Sequence, residues 1–327
     1  MPRPVLENSF HCGPLEILVG AESEALSAKI AETLELYNVA WDGPYQRLRI
    51  DLRESDEAAE LGPGDYLTCQ RTHVDRNGPD LVVTSRAGAA GTFATATCEW
   101  KLVVPRRPGD IWVLTDIEHL LSLVLTVGWR SAGWVPVHAG AVVSGDRCAI
   151  VCAESGGGKT SLTAALIRAG WRTLGDDKLL LRLTEQGTAE LRALVHTFNL
   201  DPRTRDWFPE VGDLERLPRY SEWTHKRKVC PTDIWPGTTI ASARPSHVIQ
   251  LLRDGRTTGM AMAPLDRREV LSVLLRQIVI PADRDAAEPL LRTAVTTAGT
   301  LAGVRLSVGE NAYADSAWID ALRTALQ

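Results

Sequence analysis

Eight consecutive residues near the middle of the chain have the types and spacing of a phosphate-binding loop. They run from Ala153 to Thr160 in the order Ala-Glu-Ser-Gly-Gly-Gly-Lys-Thr. This order matches the pattern G-x-x-x-x-G-K-[ST], except that Ala153 replaces the first glycine. Successive glycines let backbone N–H groups turn toward phosphate oxygens, and the dipole of a following helix favours the same negative charge. The sequence therefore predicts a loop that holds the phosphates of a nucleotide.

Two side chains at the end of the loop have predicted roles. Lys159 is expected to reach the outer phosphates of ATP, and the Thr160 hydroxyl is expected to hold Mg²⁺, which prefers oxygen ligands. A glycine-rich turn that binds nothing is the structural alternative, and it leaves the lysine and the threonine unexplained. The predicted nucleotide-binding residues are Ala153, Glu154, Ser155, Gly156, Gly157, Gly158, Lys159, Thr160 and Ser161.

A pair of carboxylates, Asp176 and Asp177, follows the loop at the end of a segment predicted to be the next strand. In a nucleotide site, one carboxylate can belong to the Mg²⁺ shell while its neighbour accepts a proton from an attacking hydroxyl. An Asp-Asp turn exposed to water is the alternative, but the distance from the loop favours the site. The sequence does not decide which aspartate takes which role.

The elements around the loop are those that such a site requires. The apolar runs 139–143 and 148–152 flank a short polar connection, which predicts a hairpin whose second strand leads into the loop. Beyond Lys159, apolar positions at helical spacing predict a helix that ends near Gly170. The sequence thus predicts strand, glycine loop and helix in succession.

The remaining patterns suggest two domains. Positions 26–37 have helical spacing and positions 48–52 alternate like a half-buried strand. A capping-box pattern at 115–118 predicts a helix that leads from one domain into the next, and the C-terminal third contains a strand at 248–252 and a capped helix from Asp266. We expect a small α+β domain over 1–110 and an α/β P-loop domain over 111–327.

Composition argues against several function classes. The net charge is −5 and neither sign forms a long run, so nucleic acid is not an expected partner. The most apolar stretch, 120–129, is shorter than a bilayer span and predicts a buried helix, so no membrane contact is expected. Six scattered cysteines and an N-terminus without a signal pattern predict a cytoplasmic protein with reduced thiols. A homo-oligomer remains open.

The run Val137-His138-Ala139-Gly140, the loop, and Gly175-Asp176-Asp177 together resemble the bacterial HPr serine kinase family and the HPr-kinase-related proteins. The specific similarity covers about 134–183. The resemblance implies the compact P-loop kinase domain shared with ATP-dependent phosphoenolpyruvate carboxykinases, preceded by a smaller N-terminal domain. It also implies transfer of phosphate from ATP to a serine hydroxyl.

The resemblance assigns roles to single residues. His138 stands 21 residues before Lys159, where the family has a histidine near the transferred phosphate. Without the resemblance, a structural histidine beside a buried strand would be the simpler interpretation. Asp176 and Asp177 match the family's paired aspartates, of which one is expected to be a base and the other to be metal-associated. The implied catalytic set is His138, Lys159, Asp176 and Asp177.

One departure from the family concerns the substrate. HPr-specific kinases have a Leu-Glu-x-Arg-Gly-like segment downstream of the aspartates, whereas this chain reads His-Thr-Phe-Asn-Leu-Asp-Pro-Arg over 196–203. HPr itself is therefore not the expected acceptor, and phosphorolysis is in doubt.

A basic cluster, His225-Lys226-Arg227-Lys228, resembles a lysine-containing segment of the same proteins. Lys226 and Lys228 are the first candidates for a phosphate or substrate contact, with Arg227 behind them, and a solvated loop is the alternative. The stretch 199–223 is predicted to be a long loop that faces the substrate.

These patterns leave several functions open. The first is a kinase for a serine of a protein or peptide, and the second is a kinase for a small hydroxylated metabolite. The third is a nucleotide-dependent regulator that transfers no phosphate. Carboxykinase-like chemistry would need a second metal-binding cluster, for which the sequence has no clear candidate.

Overall fold

In the computed structural model of the protein, the described residues are 6–69, 71–107, 109–220, 224–254, 259–309, 313 and 316–327. The chain forms two compact units of mixed α and β structure. The first comprises 1–134 together with 279–289, and the second comprises 135–278 and 290–327. This division differs from the predicted boundary at 110/111, because the helix over 111–131 packs against a helix and strands of the first unit.

The first unit is built on one eight-stranded sheet. Its elements are β1 (Leu6–Cys12), β2 (Leu15–Ala21), α1 (Glu24–Glu35), β3 (Gln46–Ser55), β4 (Leu67–Cys69), β5 (Thr72–Asn77), β6 (Asp80–Ser85), β7 (Ala90–Ala94), β8 (Glu99–Pro105) and α2 (Ile111–Ser131). The strand order is β1-β2-β3-β8-β7-β6-β5-β4, in which β2, β3 and β8 are parallel. The alternation predicted at 48–52 is confirmed in β3, where Leu48, Ile50 and Leu52 are buried.

Helix α2 begins earlier than predicted. Its N-cap is Asp110, whose side chain accepts from the Trp112 N–H, and the expected capping box at 115–118 lies inside the helix. The Thr115 hydroxyl donates to the Ile111 carbonyl, one turn back. By length and composition α2 could cross a membrane, but core helices of soluble proteins pass the same test, and 56% of its most apolar window is buried.

Residues 279–289 are fastened to the first unit by polar contacts. The Ala282 N–H donates to the Tyr66 carbonyl at 2.8 Å, and Arg76 forms an ion pair with Asp283 at 3.4 Å. Arg130 also donates to the Val279 carbonyl. This short segment therefore belongs to a unit whose strands all precede it by more than a hundred residues.

The second unit contains three sheets. Its elements are β9 (Val135–Val137), β10 (Gly140–Ser144), β11 (Arg147–Cys152), α3 (Lys159–Arg168), β12 (Arg172–Gly175), β13 (Leu179–Leu183), β14 (Ala189–Ala193), β15 (Phe198–Leu200), β16 (Arg227–Val229), α4 (Pro231–Ile234), β17 (Ser242–Ala243), β18 (His247–Arg253), β19 (Met260–Leu265), α5 (Arg267–Leu275), α6 (Arg284–Ala298), whose first residues are assigned to the first unit, β20 (Ala302–Val308) and α7 (Ala317–Ala325). The sheets are β12-β10-β11-β18-β20-β19, β17-β14-β13-β9 and β15-β16.

Strand directions in the six-stranded sheet bring several segments to one edge. Strands β11, β18 and β20 are parallel, while β10 is antiparallel to both β11 and β12. The carboxyl ends of β11, β12, β18 and β20 therefore lie at the same edge as the amino end of β10. We call this the carboxyl edge, where open α/β sheets bind their ligands.

Several predicted elements of this unit are confirmed. The hairpin is β10–β11, and the helix after Lys159 is α3, whose Leu162 and Leu166 are fully buried. Asp266 caps α5 in a capping box with Glu269. Helices α3 and α7 pack into one apolar core with strands of the six-stranded sheet, and this core supports the loop that precedes α3.

Candidate functional site

The loop between β11 and α3 has a backbone suited to phosphate. Gly156 and Gly158 have φ values of 74° and 95°, which residues with side chains rarely adopt. Gly158 is also the N-cap of α3. Within the described part of the chain, the N–H groups of 158–161 find no hydrogen-bond acceptor. Four open donors and the positive end of a ten-residue helix thus converge on this loop.

Lys159 is buried at the base of the loop. Its side chain is held by two acceptors, His138 Nε2 at 3.1 Å and the Ala153 carbonyl at 3.4 Å. Burial lowers the pKa of Lys159, and the carboxylates of Asp177 and Asp176 oppose that shift. The ammonium is therefore poorly solvated and placed to interact with additional negative charge.

His138 joins Lys159 to Asp177. Its Nδ1 lies 3.3 Å from Asp177 Oδ1, and its Nε2 faces the lysine. Because an ammonium only donates, Nε2 must accept and Nδ1 must carry the proton. Desolvation lowers the pKa of His138 most, Asp177 raises it, and Lys159 and Lys178 lower it further. The neutral imidazole therefore bridges a cation and a carboxylate.

Asp176 has a different environment from its neighbour. It is 2% exposed, and its Oδ1 has no hydrogen-bond partner among the described residues. Burial, followed by repulsion from Asp177, raises the pKa of Asp176 to about 7, while a hydrogen bond with Thr160 and the ammonium groups of Lys159 and Lys226 lower it. A buried carboxylate oxygen without a partner calls for a ligand. With the Thr160 hydroxyl beside it, this oxygen suits a hard cation such as Mg²⁺.

The small number of protein groups near the loop that could bind a metal is consistent with the way Mg²⁺ is usually bound. No group of three or more His, Cys, Asp or Glu side chains able to hold a metal occurs in the described ranges. Mg²⁺ usually binds through one or two carboxylates, waters and substrate phosphates rather than through a complete protein cage. A small protein ligand set beside a phosphate loop is therefore compatible with this ion.

Close backbone packing positions the aspartates. A Cβ on Gly140 would lie 3.0 Å from the Asp176 Cα, and a Cβ on Gly175 would lie 2.4 Å from the Val195 carbonyl oxygen. Thr173 stabilises the turn, since its hydroxyl accepts from the Gly175 N–H and donates to the Ala141 carbonyl. Glycine at 140 and 175 thus lets β10 and the segment before β15 approach Asp176 from two sides.

The basic cluster is divided between the two faces of β16. Since strand side chains alternate, Arg227 and Lys228 point to opposite faces of β16, and Lys226 directly precedes the strand. Arg227 pairs with Glu215 at 2.5 Å and donates to the Leu217 carbonyl. Lys226 lowers the pKa of both Lys159 and Asp176, so its ammonium lies toward the site, where it forms no ion pair with a described residue. The structure therefore brings Lys226 to the site and directs Arg227 away.

Asn199 is a candidate site residue that sequence reasoning missed. It pairs directly with Lys228 in the β15–β16 register, and its Oδ1 is buried without a partner in the described part of the chain. The stretch predicted as one long loop contains β15 and three short 3-10 turns instead, and its end at 221–223 lies outside the described residues. The sequence signal for this strand was the alternation of apolar Phe198 and Leu200, both buried in the structure, with polar Asn199.

Comparison of the chain with models of protein families and with curated proteins finds no match. Among solved structures, the HPr(Ser) kinase/phosphatase from Coxiella burnetii is similar over 58% of this chain and 92% of its own, with 10% sequence identity and a TM-score of 0.30. This is a weak relation in fold, and likeness at this level carries no argument about activity. The chemistry of the site therefore follows from its own residues.

Proposed function

We propose that this protein is an ATP-dependent phosphotransferase that moves the terminal phosphate of ATP to a hydroxyl group, in the first place a serine of a protein or peptide. One observation carries the proposal. Two carboxylates in different environments, Asp176 and Asp177, meet the end of a phosphate-type loop at the carboxyl edge. A loop alone supports nucleotide binding, whereas a carboxylate pair beside it supports transfer.

The environments of the aspartates favour separate roles. Asp176 is buried, hydrogen-bonded with Thr160 and left with an open oxygen, so these two residues would hold Mg²⁺. The ion, when bound, neutralises charge on the phosphates. Asp177 is more accessible, with 26% of its side chain exposed, and is oriented by His138. We assign Asp177 as the base that takes the proton of the acceptor hydroxyl.

Cationic groups of the chain support the same chemistry. Lys159, at the loop, and Lys226, directly before β16, both lie near the carboxylates and would bind phosphate oxygens. Neutral His138 fixes Lys159 on one side and Asp177 on the other. Positioning and charge stabilisation of this kind account for most of the catalysis of phosphoryl transfer.

The acceptor is proposed on the resemblance of 134–183 to HPr serine kinases, and HPr itself is not proposed. The segment at 196–203, where HPr-specific kinases have their own motif, contains β15 and Asn199, whose buried Oδ1 has no partner among the described residues. The six cysteines form no disulfide, which supports our proposal of a cytoplasmic location.

The test is transfer of label from γ-labelled ATP, with Mg²⁺, to a fractionated extract of small proteins, peptides and metabolites. Label on a serine-containing polypeptide, lost with Asp177→Asn and kept with the exposed control Asp146→Asn, is expected. Label on a metabolite alone would remove the protein-kinase form of the proposal. ATP binding without labelling of any fraction would indicate a nucleotide-dependent regulator.

A further inference from the structure

His138 and the two aspartates lie on one side of the loop. His138 precedes β10 and Asp176 follows β12, and these strands lie on the same side of β11 in the sheet. The other neighbour of β11 is β18, which runs parallel to it with Cys152 beside Gln250. Because phosphates, ribose and base follow one another in a nucleotide, a terminal phosphate toward β10 and β12 directs the base toward β18.

Tyr313 reaches the loop from that other side. A Cβ on Gly158, the last glycine of the loop, would lie 3.9 Å from Tyr313 Oη and 3.8 Å from Leu251 Cδ2. The ring is fixed by aromatic neighbours, with centroids 4.9 Å from Trp207 and 6.3 Å from Trp318. Its hydroxyl makes no hydrogen bond with any residue that the structure describes. A side chain packed between two tryptophans therefore presents a hydroxyl near the loop that no described residue uses.

Arg253 also lies at the carboxyl edge, on the strand beside β11. It is the last residue of β18, where it pairs with Val308 of β20, and its side chain is exposed. It forms no ion pair within the described ranges. Burial raises the pKa of the Tyr313 phenol and Arg253 opposes the shift, which indicates that the guanidinium is near the hydroxyl. A guanidinium can stack on a planar ring system.

We propose that Tyr313 and Arg253 hold the ribose and base of the donor nucleotide over the carboxyl end of β18. The Tyr313 hydroxyl donates to a ribose oxygen, and the Arg253 guanidinium stacks on the base. This inference rests on the phosphate role of the loop in the proposed function, but it does not depend on phosphoryl transfer. It makes Tyr313 and Arg253 determinants of the choice between ATP and simpler polyphosphates.

The experiment compares ATP with inorganic tripolyphosphate, which has the phosphates but neither ribose nor base. Each is titrated with Mg²⁺ into the wild type, Tyr313→Phe and Arg253→Met, and the dissociation constants are measured by calorimetry. We expect ATP to bind about fivefold more weakly to Tyr313→Phe, the effect of one hydrogen bond. Arg253→Met should weaken ATP binding by about three- to tenfold. Tripolyphosphate binding should be unchanged in both.

Arg172→Met is the matched control, because Arg172 is an exposed arginine at the amino end of β12, on the opposite edge of the same sheet. It should bind both ligands like the wild type. Thermal unfolding of each variant checks that the second unit remains folded.

The possible results separate this inference from the proposed function. Equal losses for ATP and tripolyphosphate would show that the two residues contact phosphate, and unchanged ATP affinity would show no contact; either result overturns the inference. A wild type that binds ATP as proposed but labels no acceptor contradicts only the transfer step. A wild type that binds neither ligand contradicts both.

Discussion

Lys159 Nζ lies 3.1 Å from His138 Nε2, so the loop lysine donates to a histidine whose other nitrogen faces Asp177. This contact exists only while the imidazole is neutral, because protonation would place two cations together. The contact of His138 with Lys159, the proposed phosphate-binding lysine, therefore depends on the protonation state of the imidazole, which also contacts Asp177, the proposed base.

The first prediction concerns the titration of His138. Its NMR titration midpoint should lie below the ordinary value of 6.5, because burial and Lys159 lower its pKa. Asp177→Asn should lower the midpoint further, and Lys159→Met should raise it. The ring signal is assigned by its loss in His138→Gln. With a lowered folded-state pKa, the contribution of this group to stability is complete above pH 6.5 and is lost as the pH falls. A midpoint above 6.5 in the wild type would contradict the neutral bridge.

The second prediction concerns the buried carboxyl of Asp176. Its pKa is raised from 3.8 to about 7, so the group favours the folded state fully below pH 3.8 and loses that contribution as the pH rises through 7. Without Mg²⁺, the unfolding free energy of Asp176→Asn should therefore increase relative to that of the wild type as the pH rises from 5 to 8. The gain should be at most roughly 4 kcal/mol, from about 1.4 kcal/mol for each pKa unit. Denaturant titrations at several pH values measure it.

The matched variant for that experiment is Asp177→Asn. Because the Asp177 carboxylate contributes to the raised pKa of Asp176, its removal should lower the pKa of Asp176 and reduce the loss of stability that accompanies rising pH. Parallel curves for Asp176→Asn and the wild type at all pH values would contradict the raised pKa.

The third prediction separates the two aspartates by kinetics and binding. Asp177→Asn should lower kcat by about 10²–10⁴-fold, the usual contribution of a general base, while the affinity for Mg²⁺-ATP stays within about threefold of the wild type. Asp176→Asn should lose the Mg²⁺ dependence of ATP binding. Calorimetric titrations with and without Mg²⁺ measure this directly, and the opposite pattern would exchange the two roles.

The fourth prediction concerns the close approach at Gly175. In Gly175→Ala the new methyl group would collide with the Val195 carbonyl at a φ of 136°, so the turn before Asp176 must move. We expect a loss of at least about 2 kcal/mol of unfolding free energy and a large loss of transfer. The control is Gly187→Ala, which has a φ of 73° but no atom within 4 Å of the new carbon. It should cost only about 1 kcal/mol of backbone strain. Equal effects of the two substitutions would remove the steric explanation.

Local patterns predicted the part of the site that is local in sequence. The hairpin β10–β11, the glycine loop and α3 follow one another along the chain, and each has its own periodicity or turn chemistry. The predicted start of α2 was wrong. Thr115 resembles an N-cap in sequence, but its hydroxyl donates a hydrogen bond to a carbonyl inside a helix that Asp110 already caps.

Features made by distant pairing could not be predicted in this way. Arg253 lies at the same edge as the loop only because β18, between β11 and β20, runs parallel to both strands. No spacing along the chain indicates that order. Asn199 was missed because its strand has three residues in a stretch otherwise rich in proline and charge.

The segment 279–289 has a consequence for how the protein is made. A ribosome that has released the first 134 residues must add roughly 150 more before the segment that bonds Tyr66 and pairs with Arg76 emerges. At about 5–20 residues per second, that interval is about 8–30 s. The contacts that this segment makes with Tyr66, Arg76 and Arg130 can therefore form only after most of the second unit has been synthesised. Codon usage between 135 and 278 should then influence the yield of the first unit, although none of those codons encodes it.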